Sequence, residues 1–519
     1  MDPYPSRTWT RRETGLLLTL LACALLVRGL IWANTEILAR DGIGFIEIAQ
    51  RLESESWSTV LREAPQHPLY PVHILWTAKV YRGLISRPLT NPDWQQCAHA
   101  ANVLMGVLMS IPLFLLCRRL VGAWTAFGAV LLFTVLPVPA QVTSDTLSEG
   151  SYLCWCAVAL WLLAEGLCRG TWVWFAGAGL ASGLAYLTRP EGAVLPIAGL
   201  TVLAWTWLRD RKPGGWRRSL AAALSLSLVT CATVAPYWLT IGKLGGKNTF
   251  NQMLGNSSAC LVTGQSAWLM ATRFQPGVDG LAWDDVTPLF VAAVVVKEVG
   301  KGTHYTGLGL AVVGLVLFFR TVGTDRDRRR IGLLLAAVII INTIILYWLG
   351  WRAHYLSERH TVLIVLSLCP FMMITIARLG RIPKLAERVP YLAPLTLVLL
   401  VGVAMVPNLK PRHQQRLAHR SAGEWLAAHW QPGDHLTDPY GYATFYAGRP
   451  YFFRKPLTTS QRQFVLMEPG EKDKSRLAVI NEVRRHGAAI KVWPEQGTPQ
   501  LVLYQASFHR QHQAAMPTP

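Results

Sequence analysis

The chain has 519 residues, of which 51% are hydrophobic and only 15% charged, and it carries a formal charge of +20. Its apolar residues come in long blocks rather than at amphipathic spacing, which excludes an ordinary soluble globule and fits a polytopic membrane protein. The positive charge does not imply nucleic acid, because the basic residues sit in short loops between apolar blocks instead of lining one soluble face.

Thr14 to Ala33 follows a basic start (Arg7, Arg11, Arg12) and supplies the roughly 20 apolar residues that a spanning helix needs. The stretch is long for a signal-peptide core and no small-residue cleavage site follows it, so it is expected to remain as a span. Further apolar segments lie near residues 98–117, 120–140, 150–167, 172–188, 191–208, 219–241, 304–319, 331–350, 361–377 and 391–407, making about eleven spans. With that count the basic loops Arg118-Arg119, Arg209 to Arg218, Arg320 to Arg330 and Arg378 to Arg388 all fall on one side, which positive charge marks as cytoplasmic. A twelfth candidate, Pro68 to Ile85, carries Lys79 and Arg82 and would break this pattern. It is expected as a helix on the outer surface, within one long external loop from about 34 to 96.

From about residue 408 the composition turns soluble. An amphipathic helix is expected over Gln414 to Trp430, a turn at Gln431-Pro432-Gly433-Asp434, a second helix over Lys474 to His486, and strands over Ala489 to Trp493 and Gln500 to Gln505. The fold class is therefore an α-helical polytopic membrane protein, residues 1–407, with a small extracytoplasmic α/β domain, residues 408–519, whose last residues are expected to fray. The aromatics Tyr440, Tyr442, Phe445 and Tyr446 either contact glycan or pack the core of that domain, and core packing is the expectation. Cys23, Cys154, Cys156, Cys231 and Cys369 lie in apolar segments as small hydrophobes, with no zinc or redox spacing. Cys97 and Cys260 can pair only if the fold brings them together.

Ionisable groups near membrane depth are costly unless paired or functional, and here they collect on the deduced outer face. Asp41 closely follows the first span and precedes an expected surface helix, Phe45 to Leu52, which brings a base near the bilayer boundary, although taken alone it reads first as an N-cap or turn aspartate before Gly42. Asp145 and Glu149 are four apart at the start of an apolar helix, so they share a face, and helix capping competes with a site there. Arg189 and Glu191 flank Pro190 between two spans, where a structural ion pair competes with phosphate recognition by the guanidinium fork. Arg352, His354, Arg359 and His360 form a second basic cluster that interfacial anchoring also explains. His67 before Pro68 reads first as a helix boundary. Arg28 within the first span is expected to snorkel or to make an interhelical pair.

Taken together these motifs resemble the C-type glycosyltransferases, the polytopic enzymes that include protein O-mannosyltransferases, aminoarabinose transferases and lipopolysaccharide sugar transferases. The resemblance rests on Asp41 in the first external loop, on Gln66-His67-Pro68-Leu69-Tyr70-Pro71, which is similar to His-Pro-Pro-Leu-Tyr-Pro, and on Ser144 to Glu149, which looks like the second acidic loop. It rests also on Arg189-Pro190-Glu191-Gly192 and on Glu358-Arg359-His360, which resembles an Arg-Tyr pair. It runs over roughly residues 14–375 in the expected order, with one proline where two are usual and His360 where tyrosine is usual.

The resemblance implies a polyprenyl-phosphate sugar donor with its tail among membrane lipids and a lipid, glycan or protein acceptor on the outer face of the cell's inner membrane. In an inverting single displacement Asp41 would be the catalytic base. Arg189, Arg352, Arg359 and His360 would face the lipid phosphate. His67, Tyr70, Asp145, Glu149 and Glu191 would contact acceptor or donor. A divalent cation held by Asp145, Glu149 and His67 is an option, and no other cofactor is implied. Two other classes compete: a transporter or lipid flippase, which calls for midplane charges and paired broken helices, and a catalytically silent scaffold whose acids merely cap helices.

Overall fold

A computed structural model describes residues 9–210, 215–245, 287–323, 325–353, 356–383, 387, 389, 391–449, 462–469 and 487–506. His354, Cys260, the expected helix from Lys474 to His486, the chain end and most of the stretch between Gly242 and Thr303 lie outside the described residues.

The helices in chain order are α1 (Arg11–Ala33), α2 (Arg40–Ser54), α3 (Trp57–Glu63), α4 (Leu69–Arg82), α5 (Asn91–Leu108), α6 (Ser110–Val121), α7 (Ala123–Val135), α8 (Pro137–Val142), α9 (Glu149–Arg169) and α10 (Trp172–Thr188). They continue with α11 (Val194–Asp210), α12 (Gly215–Ile241), α13 (Pro288–Gly302), α14 (Thr306–Thr321), α15 (Arg326–Ala353), α16 (Val362–Leu379), α17 (Leu392–Met405), α18 (Leu417–His429) and α19 (Tyr442–Tyr446). Among the described residues eight helices are long and apolar enough to cross a membrane, and α13 with α14 forms a further pair bent by 99°. All eleven segments expected from the sequence fall on helices, with α7 at 13 residues and α17 at 14 shorter than expected, while α10 keeps the expected bounds. Leu26, Leu228 and Val398 are more than half exposed on the spans, as side chains facing hydrocarbon must be.

Each end of α1 is set by local chemistry. Thr10 and Glu13 make a reciprocal capping box at its start, and Glu13 also pairs with Arg118 at the end of α6. Arg119 and Arg169 share Glu165 at the end of α9. These basic helix ends meet at one end of the bundle, and alternation of the helices carries Asp41, Asp145, Arg189 and Arg359 to the other.

Three expectations are corrected. The helix after Asp41 begins at Arg40, so Asp41 sits in its first turn, and the helix is not at the surface: residues 42–49 are all buried. It is enclosed because one apolar cluster joins Ile43, Phe45, Ile46 and Ile48 to Tyr70, Leu75 and Trp94 and also to Ala422, Leu436, Tyr442 and Leu503 beyond residue 408. Second, α13 fills part of the gap left between the expected segments 219–241 and 304–319, where Lys297, Glu298 and Lys301 interrupt the apolar run. Third, Arg28 does not snorkel: it is wholly buried and its Nε donates to Thr143 Oγ1 at 3.0 Å, making the interhelical alternative the observed one.

The candidate at 68–85 is the 14-residue helix α4, about 21 Å long at 1.5 Å per residue and short of a span. It buries Tyr70, Ile74, Leu75 and Ala78 while Trp76 and Val80 stay exposed. The segment after residue 408 carries a four-stranded sheet of order β1 (His435–Thr437), β2 (Gln463–Met467), β4 (Leu501–Ala506), β3 (Gly487–Trp493), in which β1 and β2 are parallel and the other pairs antiparallel. β3 and β4 lie where strands were expected; β1 and β2 were not. Tyr440, Tyr442, Phe445 and Tyr446 are buried and pack the core.

Candidate active site

The loop between α8 and α9 is the centre of the site. Asp145 is fully buried, and its Oδ1 accepts the backbone N–H groups of Ala39 at 3.1 Å and Thr146 at 2.7 Å. Its Oδ2 accepts from His413 Nε2 at 2.8 Å and lies 3.5 Å from Arg412. Burial alone would raise the pKa of this carboxyl, but the His413 hydrogen bond and the charges of Arg412, His413 and His99 more than offset it and hold the group well below the ordinary carboxylate range. Asn102 fixes the same loop: its amide donates to the carbonyls of Val142 and Asp145, and its Oδ1 accepts from Gly150 N. His99 Nδ1 donates to the Ser144 carbonyl at 2.9 Å.

Asp41 stands beside this loop. A Cβ added at Gly42 would lie 2.2 Å from Thr146 Oγ1, so only glycine lets α2 approach so closely. The Asp41 side chain is 44% exposed and its Oδ2 accepts from Arg359 Nη1 at 2.6 Å. Arg359 lies in the 3-10 turn Glu358–Thr361 that opens α16, where Ser357 and His360 form a capping box.

Arg189 sits between α10 and the turn Pro190–Ala193 with its guanidinium buried. Nη1 donates to Glu149 at 2.5 Å and Nη2 to Glu191 at 2.9 Å. Burial by itself would lower its pKa, and the two carboxylates more than offset that, pushing it up. The nearby charge of Arg359 acts on it in the opposite sense, so the two arginines share one site. Gly192 permits the turn, since a Cβ there would come within 2.3 Å of the Tyr186 backbone nitrogen.

The structure thus brings Asp41, Asp145, Glu149, Arg189, Glu191 and Arg359 together at one end of the bundle. His67 is fully buried between the rings of Tyr186 and Tyr237, 5.4 Å from each. Tyr70 is also buried and donates its hydroxyl to the Ala98 carbonyl, which ties it into packing. Arg352 lies over the Trp348 ring at 5.0 Å on the exposed end of α15. His360 bonds within its own turn. Asp145, Glu149 and His67 go to three separate sets of partners, and among the described residues no group of three or more His, Cys, Asp or Glu side chains converges for a metal.

Sequence reasoning missed His99, Asn102, Arg412 and His413. Asn102 inside an apolar run was a usable signal. The others were not, because Pro411-Arg412-His413 reads as ordinary linker. Also missed was the pair Glu298 and Lys301, 2.7 Å apart on α13, the helix packed against the Glu358–Thr361 turn.

Residues 93–238 match the family described as dolichyl-phosphate-mannose-protein mannosyltransferase, a segment that includes Asp145, Glu149, Arg189 and Glu191. No curated protein sequence matches the chain. Among solved structures the chain is similar to ArnT from Cupriavidus metallidurans bound to undecaprenyl phosphate, with 14% identity, a TM-score of 0.61, and 95% of this chain and 98% of that one covered. It is also similar to the oligosaccharyltransferase of Archaeoglobus fulgidus in the apo form, with 11% identity, a TM-score of 0.55, and 83% of this chain and 64% of that one covered. The same organism's AglB in complex with an inhibitory peptide and a dolichol-phosphate matches at 13% identity and a TM-score of 0.53, over 85% of this chain and 65% of that one. The chain therefore has the fold of the C-type polytopic glycosyltransferases and resembles the group that contains the mannosyltransferases and ArnT.

Proposed function

We propose that the protein transfers a sugar from a polyprenyl-phosphate donor to a hydroxyl of a lipid, glycan or protein acceptor at the outer face of the cell's inner membrane. The observation that carries this reading is the ion pair between half-exposed Asp41 and Arg359, beside the buried Arg189. The undecaprenyl phosphate bound by ArnT supports the donor class. The outer-face reading is supported by the basic helix ends, Arg118-Arg119, Arg169 and Arg320, which lie opposite the site, as the positive charge of cytoplasmic ends would have it. The segment beyond residue 407 then stands outside as an extracytoplasmic domain.

In the resting site Arg359 holds Asp41 and lowers its value as a base. A donor phosphate competes for that guanidinium and releases the carboxylate as the donor arrives. The acceptor oxygen then attacks the anomeric carbon from the face opposite the phosphate, Asp41 takes the hydroxyl proton, and the bond from C1 to the phosphate oxygen breaks with inversion. The leaving phosphate gains negative charge, which Arg359 stabilises. Arg189 serves this phosphate less directly, because Glu149 and Glu191 already engage all three of its nitrogens; it fixes the turn and sets the local potential. The test is transfer of radiolabelled sugar from a defined polyprenyl-phosphate donor to cell-envelope acceptors, by purified wild type and by Asp41→Asn at equal folded yield. Transfer by wild type and none by the variant is expected; equal transfer by both would end the assignment of Asp41 as base.

A further inference from the structure

The segment leading to α18 threads between two parts of the site. Asn408 Nδ2 donates to the Val135 carbonyl at 2.8 Å, and Arg412 Nη1 donates to the Gln141 carbonyl at 3.0 Å, both on the α7–α8 side. On the other side Arg412 N donates to the Asn34 carbonyl at 3.2 Å, and Thr35 and Arg412 form a parallel bridge. His413 comes next, with φ 56° and ψ 22°, in the left-handed region that is uncommon for any residue but glycine, histidine being among the less unusual ones there. Such a conformation persists only where surrounding contacts demand it. What it achieves here is to aim Nε2 at Asp145 Oδ2, 2.8 Å away.

Asp145 has two ends with two duties. Oδ2 is taken by His413, while Oδ1 holds Ala39 N, the residue that precedes α2 and lies two positions before Asp41. We propose that His413 is a positioning residue of the transferase: by fixing the rotamer of the buried Asp145 carboxylate, it sets the start of α2 and hence where Asp41 stands against acceptor and Arg359. The linker to the external domain is then the third wall of the active site, beside the loops around Asp41 and Asp145. This rests on the reading of Asp41 as the catalytic base, and it assigns a role in the reaction to a segment that the sequence presents as a plain connector.

Two substitutions separate donor geometry from backbone strain. His413→Gln places an amide donor near the position of Nε2, so it keeps the bond to Asp145 in a backbone no better suited to the turn. His413→Asn suits the left-handed backbone better than histidine does but is too short to reach Asp145. The full-length protein in detergent is compared by transfer kinetics with the polyprenyl-phosphate sugar that supports wild-type turnover, and by hydrogen exchange of the peptide spanning residues 36–42. His413→Asn and His413→Ala are expected to lower kcat by roughly 10- to 100-fold, as a displacement of about 1 Å in a catalytic group does, with KM for the donor nearly unchanged. Both should speed exchange at 36–42, and His413→Gln should restore both readouts. Wild-type kcat in His413→Asn, or unchanged exchange at 36–42 in both His413→Asn and His413→Ala, would overturn the proposal. If no donor supports transfer even by wild type, the base assignment of Asp41 fails separately, and the exchange data alone decide whether His413 holds the start of α2.

Discussion

Arg189 is held by two acids of unequal burial, and that inequality makes a sharp prediction. The Glu149 side chain is 1% exposed and that of Glu191 21% exposed. Glu149→Gln leaves a buried guanidinium facing a neutral amide, which breaks a desolvated pair and costs about 3–5 kcal/mol. Glu191→Gln removes a partner that water partly replaces, so the loss is closer to the ~1 kcal/mol of a solvent-reached pair. Larger proteins shift less per unit of free energy, and at roughly 1–2 °C per kcal/mol for a chain of this size Glu149→Gln should lower the apparent melting temperature by about 3–10 °C. Thermal unfolding of detergent-solubilised protein, followed by intrinsic tryptophan fluorescence, measures both variants side by side. Neither effect should vary between pH 5 and 9. The folded pKa of Arg189 is raised, so its contribution is complete below the unfolded value of an arginine and is lost only at far more alkaline pH. Glu191 makes two of the three hydrogen bonds to Arg189, so a loss for Glu191→Gln equal to or larger than that for Glu149→Gln would refute the reasoning that burial, rather than the number of contacts, sets the cost.

Arg359→Lys keeps the charge but loses the guanidinium fork, and should weaken binding of undecaprenyl phosphate by about tenfold while leaving the melting temperature within a degree or so, because the Asp41 pair is partly exposed; titration with the lipid phosphate reads it. His73 on α4 shares a hydrogen bond with Ser151 Oγ at 2.9 Å, and burial pulls its pKa from 6.5 down to about 4. The unfolded chain therefore takes up that proton first on acidification, so stability is complete above pH 6.5 and falls as pH drops toward 4; melting across this range should flatten in His73→Gln. Gly192→Ala would force the turn at Pro190–Ala193 away from the backbone of Tyr186, and should lower both melting temperature and transfer, measured on the same preparation.

What the sequence determined by itself is the class of the molecule and where along the chain its apolar spans lie. Long apolar blocks dictate spans because a lipid-facing backbone must satisfy its hydrogen bonds internally, and the basic loops order those spans by side. The motifs around Asp41, Asp145, Arg189 and Arg359 were legible because charge at membrane depth is too costly to be accidental. Only the tertiary structure decided how these residues divide their work. It paired Asp41 with Arg359 across more than three hundred residues, closed Glu149 and Glu191 around Arg189, and withdrew Tyr70 into packing. It also enclosed α2 under the segment beyond residue 408 and placed His413 on Asp145. Periodicity and composition report what one segment prefers. They carry no information about which distant segment supplies the hydrogen-bond partner of a buried carboxylate, and at this site that partner lies in a linker with no pattern of its own.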